Sequence, residues 1–287
     1  MSYLISVIVT TFNREDALEA VLSALSRQSD QGFEVVIADD GSRAMTAAVV
    51  ERWRGRLGVP LSHVWQMHYG FRAAEIRNRA ILACRGEYCV FLDGDCIAPR
   101  DFVATHRQLA QRGWFVTGNR VLLSRRLTAA VLDEHLQLEA WSARVWIAHR
   151  LRGDVNRLAA LLRLPFGPLR RLRRRQWRGA RSCNLGIWRS DLGRIDGFDA
   201  SYTGWGREDS DLLIRLLRCG LRRKDGRFAT GVIHLWHPQV ERAHLGANDA
   251  RLHAVLQSER TRAWRGLSAL RETVEIGGSD RHGRAQS

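Results

Sequence analysis

The sequence predicts an α/β fold built on a Rossmann-like sheet flanked by helices. Three observations carry this prediction. Over the first 118 positions, apolar runs of strand length alternate with amphipathic stretches of helical period. Two of these runs end in acidic turns, Asp39-Asp40-Gly41-Ser42 and Asp93-Gly94-Asp95. Their loops would meet on the carboxyl edge of the sheet, where open α/β sheets bind ligands. The run Tyr88 to Leu92 is apolar at consecutive positions, as suits a central strand covered on both faces.

Taken in order, Tyr3 to Thr10 is a strand and Thr11 to Arg14 a polar turn. Asn13 is positioned to cap the next helix, with Glu15 and Asp16 in its first turn and Ala17, Leu18, Val21, Ala24 and Leu25 on one face. Glu34 to Ala38 is the second strand, Ala44 to Arg54 a helix and Leu61 to Gln66 the third strand. Ala73 to Cys84 is a helix that leads into the Asp-Gly-Asp strand. Pro99 opens a helix to about Arg112, and Trp114 to Gly118 is a strand. Thr128 to Leu151 reads as one helix and Val155 to Leu164 as a shorter one. Cys183 to Trp188 and Phe228 to Trp236 read as strands, with the helix Leu212 to Cys219 between them, stopped by Gly220. Asn248 to Glu275 reads as one long polar helix, and 277–287 as a disordered tail.

With 287 residues, 45% hydrophobic and 26% charged, the chain is long and apolar enough for one sizeable core. The formal net charge of +15 is unusual, and nearly all of it is arginine, since Lys224 is the only lysine. A codon bias towards arginine is the plain explanation; an anionic partner is the functional one. Between Arg163 and Arg181 stand eight arginines and no carboxylate, interleaved with Leu164, Phe166, Leu169, Leu172 and Trp177. That mixture describes an anionic membrane surface better than a nucleic-acid site, so no nucleic acid is expected. Cys84, Cys89, Cys96, Cys183 and Cys219 form no Cys-x-x-Cys pair and read as small buried residues of a reducing compartment. No basic-then-apolar leader opens the sequence, and no apolar run has transmembrane length. The expected location is cytoplasmic, with peripheral contact at the cytosolic face of the inner membrane.

Two adjacent carboxylates, Asp93 and Asp95, repel unless a cation lies between them, and a divalent ion carrying a substrate phosphate would relieve this. His234 and His237 could add imidazole ligands, a mixture that suits Mn²⁺ better than Mg²⁺. In Gly204-Trp205-Gly206-Arg207-Glu208-Asp209, the glycines admit close approach and Trp205 offers a flat face to a sugar. The acids open a helix, whose dipole keeps a carboxylate ionised and able to act as a general base. Such parts fit a nucleotide diphosphate leaving group and an attacking hydroxyl, that is, glycosyl transfer by direct displacement with inversion.

The ordered motifs SVIVTTFNRED, VVIADDGS, GFRAAEIRNRAI and GEYCVFLDGDCIAP resemble those of family 2 glycosyltransferases. SCNLGIWRSDLGRIDGFDASYTGWGREDSDLLIRLL and VIHLWHP are similar to the galactosyltransferase-type region found in β-1,4-galactosyltransferases and bacterial chondroitin-type polymerases. The resemblance implies the GT-A fold, a single mixed sheet flanked by helices. It also implies a domain over 1–245, with a nucleotide-sugar half at 1–118 and an acceptor and catalytic half at 182–245, followed by a terminal helix and tail at 246–287. The helical Arg-rich insert, 124–181, has no assigned counterpart. Thr10, Thr11 and Asn13 would border the nucleotide, Asp40 would bond its base and Arg77 would lie near base or phosphates. Asp93 would reach ribose and metal, and Asp95 would be the main metal ligand. His234 is the preferred imidazole and His237 the fallback. Trp205 and Glu208 would contact sugar or acceptor, and Asp209 matches the catalytic base. Arg207 stands where relatives often have Gly or another residue, a departure that would bear on sugar specificity.

A sugar nucleotidyltransferase would carry a Gly-rich basic loop after the first strand, where this chain has TTFNRED. A basic membrane- or nucleic-acid-binding protein without transferase activity would explain the charge but not the acidic loops. The expected activity is therefore metal-dependent transfer from a nucleotide sugar, UDP-linked by family likeness, to a hydroxyl of a cell-surface glycan or glycolipid such as lipopolysaccharide or capsule.

Overall fold

The computed structural model describes residues 3–238 and 242–271. The first half runs β1 (Ile5–Thr11), α1 (Glu15–Ser26), β2 (Phe33–Asp39), α2 (Ala44–Arg54), β3 (Leu61–Trp65), α3 (Ala73–Ala83), β4 (Tyr88–Asp93), β5 (Cys96–Ile97) and α4 (Phe102–Leu109). There follow β6 (Trp114–Thr117), β7 (Arg120–Leu122), α5 (Arg125–Asp133), α6 (Ala143–Leu151), β8 (Asn184–Trp188), α7 (Arg189–Arg194), α8 (Glu208–Arg218), β9 (Arg222–Asp225), β10 (Val232–His234) and α9 (Leu245–Gln257).

Seven strands form one sheet in the order β3-β2-β1-β4-β8-β6-β9. The first four strands of that order are parallel, while β8 runs antiparallel to both β4 and β6. The sheet is therefore mixed, and only its N-terminal half obeys the βαβ pattern. Period-two alternation divides β4 between two cores. Tyr88, Val90 and Leu92 pack with Leu18, Val21 and Leu22 of α1 on one face. Cys89 and Phe91 meet Ile76 of α3 and Leu212 and Leu216 of α8 on the other. Each fully buried Leu or Val contributes about 1.5–3 kcal/mol. A small sheet, β5-β10-β7, lies apart from the large one and packs Ile97, Val121 and Ile233 against α5 and α6.

Several expected elements differ. The helix expected over Thr128 to Leu151 is broken by His135, at φ 50°, into α5, a 3₁₀ turn at Leu138–Ala140 and α6. Val155 to Leu164 holds only the turn Ala159–Leu161. Asn13 does not cap α1. Arg14 sits at the N-cap, and Asn13, at φ 45°, accepts from Arg43 N at 2.9 Å, which ties the β1 loop to the β2 loop. The long C-terminal helix stops at Gln257. Extended chain then lets Arg260 reach Asp199 and Asp211, at 2.8 and 2.9 Å, before a further helical turn begins at 267. Positions 272–287, with the expected tail, lie outside the described residues. Among the described residues, no helix is long and apolar enough to cross a membrane.

A buried ion cluster fixes α8. Arg215, fully buried, donates through Nε to Asp211 Oδ2 at 2.8 Å and through NH1 to the carbonyls of Ile195 and Gly197 at 2.7 and 2.8 Å. Arg215→Ala should lower unfolding free energy by about 3–5 kcal/mol, because it strips one partner from a buried charge. Urea unfolding measures this, and a loss under about 1 kcal/mol would show that the cluster does not hold the helix.

Candidate active site

The site forms where β1, β4 and the start of α8 meet the small sheet. Gly94 makes the meeting possible. Its N–H donates to Thr10 O at 2.7 Å, and a Cβ there would come within 2.9 Å of that oxygen and 3.1 Å of Thr11 Cβ. The turn after β4 therefore folds tightly over the end of β1, with Asp93 and Asp95 on either side of it.

Arg77 of α3 gathers the first cluster. From a buried position it donates to Thr10 Oγ1 at 3.2 Å, Asp93 Oδ1 at 3.3 Å and Glu208 Oε1 at 3.1 Å, and it lies 3.9 Å from Asp209 Oδ1. Ser182 N donates to the other Asp209 oxygen at 3.1 Å. Burial, with the neighbouring Asp209 charge, pushes the Glu208 carboxyl up to about 7 against the pull of Arg77. Arg207 enters α8 at φ 81°, a left-handed conformation that glycine adopts freely and that costs other residues about 1–3 kcal/mol. This explains why glycine suits the position. Here Arg207 pairs with Asp249 of α9.

Asp95, His234 and His237 form the second cluster. His234 is the cross-strand partner of Cys96, and Leu235 N donates to Asp95 O at 2.9 Å. Both imidazole Nε2 atoms lie 3.5 Å from Asp95 Oδ2. Burial, then the charge of Arg120, drives His234 down to about 3 and keeps it neutral. The Nδ1 of His237 lies 2.6 Å from Pro238 O, which can only accept, so Nδ1 carries the proton and Nε2 is the nitrogen turned to Asp95. Burial and the neighbouring Asp93 raise the Asp95 carboxyl to about 6. One carboxylate and two imidazoles converging on one point fit a divalent cation. Cys96 Sγ also lies near Asp95 and His234 and offers a softer donor.

The remaining expected residues sit at the margin. Thr11 O accepts from Asp40 N at 3.0 Å, and its buried hydroxyl has no partner among the described residues. The Asp40 carboxylate is turned inward, accepting from Arg72 N at 2.7 Å and Gln66 Nε2 at 2.6 Å, and burial raises its pKa. Trp205 stacks under Arg242, with the guanidinium 4.9 Å from the ring centroid. Sequence reasoning missed Arg120 on β7, whose charge acts on Asp93, Asp95 and His234. It also missed the stacked pair of Phe12 and His68, with ring centroids 4.4 Å apart. Neither carries a motif; only the strand pairing and the loop packing reveal them.

A mixed sheet of this order with paired acids at its edge defines the GT-A class of nucleotide-sugar enzymes, and solved structures share the fold. The mannosyltransferase PcManGT of Pyrobaculum calidifontis, in complex with GDP-Man and Mn²⁺, aligns with a TM-score of 0.59 at 20% identity, over 88% of this chain and 65% of that one. S. aureus TarS 1-349 in complex with UDP aligns with a TM-score of 0.55 at 16% identity, over 88% and 64%. Residues 6–157 match glycosyl transferase family 2, and the chain belongs to that family. Residues 172–242 match the N-terminal domain of galactosyltransferase. Validoxylamine A glucosyltransferase of Streptomyces hygroscopicus subsp. limoneus is 29% identical over 242 residues, 80% of this chain and 51% of the relative. Chondroitin synthase of Pasteurella multocida (strain Pm70) is 26% identical over 251 residues, 78% and 24%. The chain thus spans about half or less of the length of these curated relatives.

A carboxyl titrating near 6 competes with a metal for the same oxygen. Mn²⁺ affinity, followed by the EPR signal of the free ion, should climb as pH rises through about 6 and level off above pH ~7, and Asp95→Ala should abolish the climb. An affinity constant from about pH 5 to 8 would mean that Asp95 is not a ligand.

Proposed function

We propose that the protein is a metal-dependent inverting glycosyltransferase. It would transfer a sugar from a UDP-linked donor to a hydroxyl of a cell-surface glycan or glycolipid, such as lipopolysaccharide or capsule, at the cytosolic face of the inner membrane. The observation that carries this reading is the linkage of two clusters. Asp95 stands with His234 and His237, and the neighbouring Asp93 shares Arg77 with Glu208 and Asp209. Membership of family 2 and the nucleotide-sugar complexes of structural neighbours support it.

Asp93, Asp95 and His234, with His237 equally near, would hold Mn²⁺ or Mg²⁺. Such an ion would supply positive charge beside the donor diphosphate and offset the charge that develops on the leaving group. Thr10, Thr11, Asn13 and Asp40 line the adjoining edge, where a nucleoside would lie over β1 and β2. Asp209 acts as general base. Ser182 N holds one of its oxygens, while the other stands 3.9 Å from Arg77 with no hydrogen-bond partner among the described residues, free to take a hydroxyl proton. Glu208, near neutral pH for its titration, orients sugar or acceptor while Arg77 holds the acids together. Residues 1–118 serve the donor and 182–245 the acceptor and the base.

Calorimetry with UDP-, dTDP- and GDP-sugars, with and without Mn²⁺, should find one donor bound only with metal, and Asp95→Ala should lose that binding. Asp209→Asn should keep donor affinity within about threefold and lose turnover by about 10²–10⁴. Absence of binding to every donor with every metal would overturn the reading.

A further inference from the structure

The segment from Leu162 to Arg178 is more than a basic stretch of chain, because it is clamped to the outer edge of the large sheet. β9 is the edge strand, and its Arg223 N–H donates to Arg174 O at 2.9 Å. Two buried guanidiniums fasten the segment from beneath. Arg170 donates to the carbonyls of Leu164, Asp225 and Arg227 at 2.6, 3.0 and 2.8 Å. Arg223 donates to those of Gln176 and Arg178 at 3.2 and 2.9 Å. What faces outward is therefore held in place.

The outward side chains are of two kinds. Leu162, Leu164, Leu169 and Leu172 are 50%, 39%, 58% and 78% exposed. Arg173, Arg174 and Arg175 are exposed and form no ion pair among the described residues, and no carboxylate occurs from 163 to 181. Beside Leu164 opens a pocket of ≈ 700 Å³, lined also by Phe228, Arg171, Lys224 and Asp101, the last paired with Arg163 at 3.0 Å. Leaving several leucines in water beside uncompensated positive charge is unfavourable for a surface that meets only solvent.

We propose that this face docks on an anionic lipid bilayer, with the leucines entering the acyl boundary and the arginines meeting headgroup phosphates. The aromatic residues that single-stranded nucleic acid would need for stacking are half-buried and engaged within the protein. Phe166 packs edge-on against Phe228 at 5.1 Å, and Trp177 packs against Ile214, Leu252 and Val255. The segment continues to Ser182, which holds Asp209, so the docking face and the proposed base share one stretch of chain. The inference stands on surface chemistry and does not depend on the transferase reading.

Co-sedimentation of the full chain with vesicles tests it. Binding should be strong to phosphatidylcholine vesicles carrying roughly 40% phosphatidylglycerol and absent from pure phosphatidylcholine. The R173E/R174E/R175E variant should bind at least ~100-fold more weakly, while R52E/R54E/R56E, at the end of α2, should stay within about threefold of wild type. L169N/L172N should lose the part of the binding that survives high salt. Circular dichroism and thermal unfolding would verify that each variant is folded. Wild type remaining in the supernatant at low salt would overturn the proposal. So would equal binding by R173E/R174E/R175E, or duplex DNA bound as tightly as the anionic vesicles with L169N/L172N unaffected.

Discussion

The arrangement of the site depends on one buried guanidinium. Arg77 comes from the helix before the Asp-Gly-Asp strand, yet the carboxylates it touches come from β4 and from the start of α8, more than a hundred residues later. Without it, Asp93, Glu208 and Asp209 would present three negative charges in a partly dehydrated space. That arrangement would protonate or spring apart. Arg77 offers a planar fork with donors in fixed directions, so it sets distance as well as charge. The Glu208 carboxyl is raised first by burial and then by the neighbouring Asp209, against the pull of Arg77.

The small sheet solves a different problem. The large sheet can carry Asp93 on β4 only as far as its own edge. Two histidines must then be brought opposite Asp95 from a segment about 140 residues away, and a three-residue strand does so by pairing with the two residues that follow Asp95. A pair of backbone ladders thereby fixes an imidazole against a carboxylate more firmly than a loop could. The cost is burial of Asp95 and His234, and it shows in both pKa values moving towards the neutral form. An ion that binds both in their neutral-imidazole, ionised-carboxylate states would meet a site already dehydrated.

The parallel half of the fold was legible because β1, β2 and β4 are apolar runs and two of them, β2 and β4, end in acids, so neither period nor punctuation there is ambiguous. The antiparallel half was less so. β9 reads Arg-Arg-Lys-Asp, yet Arg223, Lys224 and Asp225 are buried, because their charged ends find carbonyls and counter-ions supplied by distant segments. No local pattern announces that. The break after α9 has the same origin, since Arg260 leaves the helix to satisfy two buried aspartates. At the site, Asp93, Asp95 and His234 stood out as motifs. Arg77 was recognisable only by likeness to a family, and Arg120 not at all, because its relation to Asp95 exists only once β7 pairs with β10.

The arginine content has a physical reading beyond codon preference. Arg170, Arg215 and Arg223 are buried, and each bonds two or more backbone carbonyls, those of Arg170 from separate segments. A lysine, with three donors on one atom, could not span such acceptors. Lys224 illustrates this by joining only the neighbouring Leu109 O and Gln111 Oε1. At these positions the fold itself requires arginine. Arg173, Arg174 and Arg175 have no such acceptors among the described residues, and their mutual repulsion opposes the compact state. The needs of the fold thus account for the clamps beneath the segment and leave the charge above it without an internal role. An anionic surface outside the molecule is what would make that charge favourable.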